Sequence, residues 1–229
     1  MSLEAARKIT ETVDGWLGRR EGLYLYRLAR ATAGLGVVVE IGSYKGKSTV
    51  WLAKAREAAR GEEVCAVDPH VMGTIDEFRR NLELSGVAHM VVPVVRPSEE
   101  ALRGWNRPIG LLWIDGDHSH AGVRKDFFGW EPLVSPGGVI AFHDSYSWEG
   151  VRSPIDEELI RDERFQILGQ WDGIFAIRKT PGRRFPDRVR RRVFIRLRAL
   201  FNRGRAERRH WRALPRRVLR HLSGPRDGE

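Results

Sequence analysis

Five short β-branched or apolar runs, each followed by a helical stretch, constrain this chain more than any other feature. They are GVVVEIG (36–42), EVCAVDP (63–69), HMVVPVV (89–95), IGLLWID (109–115) and VIAFHD (139–144). Near-continuous apolar runs fit strands buried on both faces. Their alternation with helices over 47–60, 74–85, 99–105 and 120–132 predicts a doubly wound parallel sheet. FQILGQW (165–171) and IFAIRK (174–179) flank Asp172-Gly173, which predicts a closing antiparallel hairpin. The expected fold is therefore α/β, with a mostly parallel, seven-stranded, Rossmann-like sheet. Local signals set the helix starts. Thr74 with Glu77 reads as a capping box. Ser98 reads as the cap for 99–105, and Asp117 or Ser119 as the cap near 120. Ser153-Pro154 reads as the opening of a helix to about 162. Two amphipathic helices, 3–17 and 21–33, precede the first strand and are placed to lid the site.

At 229 residues the chain has room for one large domain and an appendage. Its hydrophobic share of 41% against 31% charged residues fits a soluble globular body. No apolar run approaches the ~20 residues of a membrane helix. The opening MSLEAARKIT lacks the apolar core of a signal peptide, so the cytoplasm is the expected location. A single cysteine, Cys65, excludes a disulfide framework and a multi-cysteine zinc site; inside the second strand it reads as a core residue.

The charge is unevenly placed. Residues 179–229 carry eighteen basic against four acidic side chains, a net +14, while residues 1–178 net −4. The expected organisation is N-terminal helices over 1–35, a body over 36–178 and a basic helical tail over 179–229, hinged at Thr180-Pro181-Gly182. In the tail, Val189, Val193, Phe194, Leu197, Leu200 and Phe201 recur at helical spacing, as do Trp211, Leu214, Val218, Leu219 and Leu222. Arginine fills the gaps. Such basic amphipathic stretches, over 183–222, suit an anionic membrane surface or an acidic partner. Nucleic acid is the other polyanion, although no reading motif is present. Alternatively the stripes dock on the body or on a second copy in a homo-oligomer.

In open α/β sheets, ligands bind beyond the carboxyl ends of the strands. There the sequence places Gly42-Ser43-Tyr44-Lys45-Gly46, then Asp68, Ser98, Asp115-Gly116-Asp117-His118 and His143-Asp144. The glycine loop has three residues between its glycines, where a Walker loop has four. Tyr44 stands where a dinucleotide fingerprint needs glycine. What remains is a glycine turn after Glu40 at which backbone approaches a ligand closely. Asp68, ending the second strand, suits a pair of ribose hydroxyls or a turn before Pro69. Trp16, Tyr24 and Tyr26 read as core, and Trp148 as a wall of an acceptor pocket.

VVEIGSYKGKST, CAVDP, WIDGDHS and GGVIAFHDS, in that order, resemble class I S-adenosylmethionine-dependent methyltransferases. The resemblance is to the small-molecule, catechol-type, metal-dependent O-methyltransferase branch, and it covers about residues 36–178. It implies that Glu40, Gly42, Ser43 and Gly46 pass under the methionine part of S-adenosylmethionine, that Asp68 binds the ribose and that Ser98 lies near the adenine. It implies further that Asp115 borders both cofactor and metal, and that Asp115, His143 and Asp144 hold a divalent cation, Mg²⁺ or Mn²⁺. Those relatives usually have an acid at the position of His143; a nitrogen there favours Mn²⁺ or Fe²⁺ over Mg²⁺. His118 falls where catechol-type members carry a lysine base, and with Asp115 makes the expected catalytic pair. The implied activity is methyl transfer to the hydroxyl of a small molecule, a sugar or a secondary metabolite. A nucleic-acid methyltransferase anchored by the tail and a non-catalytic cofactor-fold binding protein are the other classes open to such a chain.

Overall fold

The computed structural model describes residues 8, 10–180, 189 and 191–200. Its elements run α1 (Arg19–Ala31), β1 (Val37–Ile41), α2 (Lys47–Ala59), β2 (Val64–Val67), α3 (Ile75–Leu84), β3 (Val91–Val94), α4 (Ser98–Leu102), β4 (Ile109–Ile114), α5 (His120–Trp130), β5 (Val134–Phe142), α6 (Glu149–Glu157), β6 (Phe165–Trp171) and β7 (Ile174–Lys179). Seven strands form one sheet in the order β3-β2-β1-β4-β5-β7-β6. β1 to β5 are parallel to their neighbours, and β7 lies antiparallel between β5 and β6. The expected fold class is the observed one.

Because side chains alternate across a strand, each central strand feeds two cores. Val38, Leu111 and Trp113 face one way, against Leu25 of α1 and Trp51 of α2. Val39, Leu112 and Ile140 face the other way, against Phe127 of α5 and Ile155 of α6. α1 and α2 meet at Gly22, where a Cβ would run into the Trp51 indole. Strand order reverses between β1 and β4, and the site sits at that point.

Several local signals gave way to tertiary contacts. Of the helix expected over 3–17, residues 10–12 are helical, and 13–18 are irregular and overhang the sheet edge; residues 3–7 lie outside the described residues. Ser98 is no cap: Pro97 precedes α4, and the Ser98 hydroxyl accepts the Trp130 indole N–H at 2.8 Å. Thr74 makes no side-chain cap bond, since its hydroxyl meets His70 Nδ1 at 2.8 Å. α6 begins at Glu149, which leaves Pro154 inside the helix and the Ser153 hydroxyl on Glu157. Ser119 caps α5 by accepting from the Gly122 N–H at 3.0 Å. Ser135-Pro136-Gly137-Gly138, a sequence of turn-forming residues, is absorbed into β5, with a register shift against β4.

Of the basic tail, residues 191–200 form a helix packed on the body. Phe194 and Ile195 join the core beside α5 and α6, with Phe194 5.8 Å from the Phe175 ring. Arg198 is buried; it donates to Asp156, to Gln170 Oε1 at 2.7 Å and to the Ser145 carbonyl at 3.2 Å. The second stripe, from Trp211 to Leu222, and the hinge residues Pro181 and Gly182 lie outside the described residues. Among the described residues no helix is long and apolar enough to cross a membrane.

Candidate active site

A cavity of about 870 Å³ opens at the carboxyl ends of β1, β2, β4 and β5, roofed by residues 14–17. Its floor is the turn after β1. Gly42 holds φ +88, and a Cβ there would meet the main chain of Asp115 and Gly116, so only glycine lets β1 and β4 end side by side. The Asp68 carboxylate secures this turn. Oδ2 accepts the Ser43 and Tyr44 amides at 2.9 and 2.8 Å, and Oδ1 accepts the His70 amide at 2.7 Å. Asp68 also lines the cavity, with acceptor capacity left on Oδ1.

Ser43 lines the cavity too, and its hydroxyl is buried without a hydrogen-bond partner. Ser98 stands in the wall beside Asp126, an acid the sequence did not single out. Burial raises the Asp126 carboxyl above its ordinary range against a bond from Ser98, and its Oδ1 has no partner. Glu40 and Gly46 lie behind the loop. Glu40 is fully buried and accepts the Thr49 hydroxyl at 2.5 Å; burial pushes its carboxyl to about 8. Gly46, at φ +88, backs on to the Phe78 ring.

The polar end of the cavity gathers Asp115, His118, His143 and Asp144. Asp144 holds a left-handed backbone, φ 51, just past β5, a costly conformation for a non-glycine residue. One ligand atom each from Asp115, His118 and Asp144 lies within 4.8 Å of the others. His118 Nε2 stands 3.5 Å from Asp115 Oδ1 and 3.8 Å from Asp144 Oδ2, buried without a hydrogen bond. Two carboxylates and an unpartnered imidazole nitrogen fit a divalent cation, and the nitrogen suits Mn²⁺ or Fe²⁺ better than Mg²⁺.

His143, implied as a ligand beside Asp115 and Asp144, is not in that group of three. Its Nδ1 meets Asp115 Oδ1 at 3.0 Å and its Nε2 lies 3.5 Å from Glu21 Oε2. Burial pulls this imidazole down, but Asp115, Glu21 and Asp144 outweigh it and hold it at about 10. Asp115 shows the counterpart: burial raises its carboxyl, and the two histidines hold it below its ordinary value. Glu21 is likewise held low against burial, by His143 and by the Gly18 and Gly173 amides, each at 2.8 Å. The reach of Glu21 to Gly173 and His143 had no sequence signal.

Aromatic side chains frame the mouth. Trp148 lies 5.1 Å from the His118 ring, and Trp16, 77% exposed, lies 5.0 Å from Tyr44. Trp148 is therefore in the wall expected of it, whereas Trp16 is in the roof and not the core. Tyr26 is buried, and Tyr24 is partly buried against Trp171.

A sheet in this order, with a glycine turn after β1 and an acid after β2, defines the class I S-adenosylmethionine-dependent methyltransferase fold. Residues 39–145 match a family model described as a methyltransferase domain. Solved structures agree. A putative O-methyltransferase from Klebsiella pneumoniae is 20% identical, with TM-score 0.64 over 79% of this chain and 91% of its own. The O-methyltransferase TomG from Streptomyces achromogenes, involved in tomaymycin synthesis and solved with S-adenosylmethionine, is 20% identical, with TM-score 0.58 over 80% and 92%. An O-methyltransferase from Bacillus cereus, solved with S-adenosylhomocysteine, is 20% identical, with TM-score 0.57 over 78% and 92%. At such identities the likeness is one of fold. Among curated proteins, the uncharacterized protein y4gI of Sinorhizobium fredii is 32% identical over 78 residues, 34% of this chain; the match spans 7% of that relative's length.

Proposed function

We propose that this chain transfers a methyl group from S-adenosylmethionine to a hydroxyl of a small molecule, in the cytoplasm, with help from a divalent cation. The observation that carries the proposal is the cavity itself. It sets an orphaned serine hydroxyl and a ribose-type acid beside two carboxylates and an imidazole. Ser43 and the Gly42 turn would hold the amino-acid end of the cofactor, Asp68 a ribose hydroxyl through Oδ1, and Ser98 with Asp126 the base. Asp115, His118 and Asp144 would hold the cation. When bound, the cofactor supplies an electrophilic methyl and the cation lowers the pKa of a coordinated hydroxyl. The protein's own part is alignment: the acceptor oxygen must come within about 3–3.5 Å of the methyl carbon, in line with the leaving sulfur. Trp148 and Trp16 shield that contact from water and give the acceptor apolar surface. That the solved TomG belongs to tomaymycin synthesis supports a secondary metabolite as acceptor.

His118 has a second role open to it. Its unpartnered Nε2 faces the cavity, so without a bound cation it is placed to take the acceptor's proton. Calorimetry with S-adenosylhomocysteine tests the proposal. The full chain is expected to bind one molecule. Asp68→Ala is expected to weaken binding by about 1.5–3 kcal/mol, one hydrogen bond to an ionised acceptor. Asp68→Asn, which keeps an acceptor for the loop amides, separates ribose contact from loop collapse. Tight binding of NAD or ATP with none of the sulfur ligand would overturn it.

A further inference from the structure

The 191–200 helix has two faces. Arg191, Phe194, Ile195 and Arg198 recur at helical spacing and turn inward; Phe194 and Ile195 pack on the core, Arg191 donates to the Phe165 carbonyl and Arg198 is buried. Val189, Val193, Leu197 and Leu200 also recur at helical spacing, and each is more than half exposed. At 3.6 residues per turn the two sets point about 155° apart, on nearly opposite faces. The inward face satisfies the helix's need for a core, so the outer stripe is surplus to folding. Arg192 and Arg196 are exposed along one flank of it.

We propose that this outer face docks on an anionic lipid bilayer. Four aliphatic side chains in line, flanked by guanidinium groups, match the two layers of such a surface: acyl chains below, phosphate headgroups above. Nucleic acid offers no apolar layer for Val193 and Leu197. Charge complementarity is strong, because residues 179–229 carry a net +14 while the rest of the chain is net acidic and is repelled. The helix is held to the body by Phe194, Ile195 and Arg198, so the stripe presents a fixed orientation and needs no folding on contact.

The test is co-sedimentation of the full chain with vesicles of phosphatidylcholine alone and of phosphatidylcholine mixed with phosphatidylglycerol. Binding is expected to the mixed vesicles and not to the neutral ones, and to weaken as salt is raised. Arg192→Gln and Arg196→Gln are each expected to lower the partition coefficient about fivefold, or about 1 kcal/mol. Val193→Gln with Leu197→Gln changes two exposed side chains, so the fold is expected to persist by circular dichroism while partitioning falls at least about tenfold. Equal binding to neutral vesicles, no binding to either, or unchanged binding by the double variant overturns the proposal. So does a dimer of the wild-type chain that the double variant abolishes, which would assign the stripe to a second copy.

Discussion

Glu40→Gln probes a carboxyl that burial moves far above its usual range. Glu40 sits in β1 with no solvent exposure, one oxygen on Thr49 and the other without a partner. Burial moves its carboxyl from the usual 4.5 to about 8, Asp115 and Asp68 add to the rise, and the Ser48 and Thr49 hydroxyls offset only part of it. At neutral pH the acid is thus protonated when folded and ionised when unfolded. A group raised in this sense stabilises fully below 4.5 and loses that contribution as pH climbs through about 8. At about 1.4 kcal/mol per pH unit, the whole loss comes to about 5 kcal/mol. Glutamine keeps the shape and the acceptor for Thr49 but does not titrate. Its amide nitrogen falls where the carboxyl oxygen has no partner, which costs about 1–3 kcal/mol at every pH. Urea unfolding followed by tryptophan fluorescence is the assay, at fixed ionic strength. The wild type should be the more stable protein near pH 5. Its advantage should shrink by about 3 kcal/mol by about pH 7.5, crossing zero on the way. The decline caused by His143 above its ordinary 6.5 is common to both proteins and cancels. Parallel stability curves would falsify the neutral buried acid.

Metal binding is readable by electron paramagnetic resonance with Mn²⁺: one ion per chain is expected, and a chelator should remove it without changing affinity for S-adenosylhomocysteine. Asp144→Ala and His118→Ala should each weaken Mn²⁺ by more than the about 10–100-fold that a supporting residue costs, whereas His143→Ala should stay within that range. Normal Mn²⁺ affinity in His118→Ala would return His118 to the role of base. Gly22→Ala drives a methyl into the Trp51 indole and should cost about 1–3 kcal/mol in urea unfolding. Arg198→Ala removes one hydrogen bond each from the Ser145 carbonyl, Asp156 and Gln170 Oε1, and should lower stability by a similar amount, about 1–3 kcal/mol, seen as a lower melting temperature.

The strands were legible because their signal is long and repeated: β-branched runs at regular spacing leave few other folds open. The Asp-Gly turn announced its hairpin for the same reason, since the turn chemistry is local. Caps were less legible. Ser98 and Thr74 have the residue type of a cap, but an indole N–H and an imidazole reached their hydroxyls first. Those partners are tertiary in the first case and a local bend in the second. The site was legible as a set of strand ends and not as a set of contacts. The sequence put His118 and His143 at the same edge of the sheet. That His143 also faces Glu21, 3.5 Å away, follows from the packing of α1, and no motif links α1 to β5.

Glu21 also has a consequence for the order of assembly. Its carboxylate accepts from an amide 152 residues further along the chain, in the turn between β6 and β7. A ribosome adding about 5–20 residues per second needs about 8–30 s to cover that distance. Through that interval the N-terminal helix already exists while the turn that anchors it does not. Stalled nascent chains that end before residue 173 should therefore leave the Glu21 segment open to protease, and chains extended well past it should protect it. The turn after β1 and Asp68 after β2 are made early in synthesis, and Ser98 and Asp126 follow on α4 and α5. The carboxylate–imidazole end, where Glu21 waits for His143 and Gly173, is among the last parts of the domain to be set.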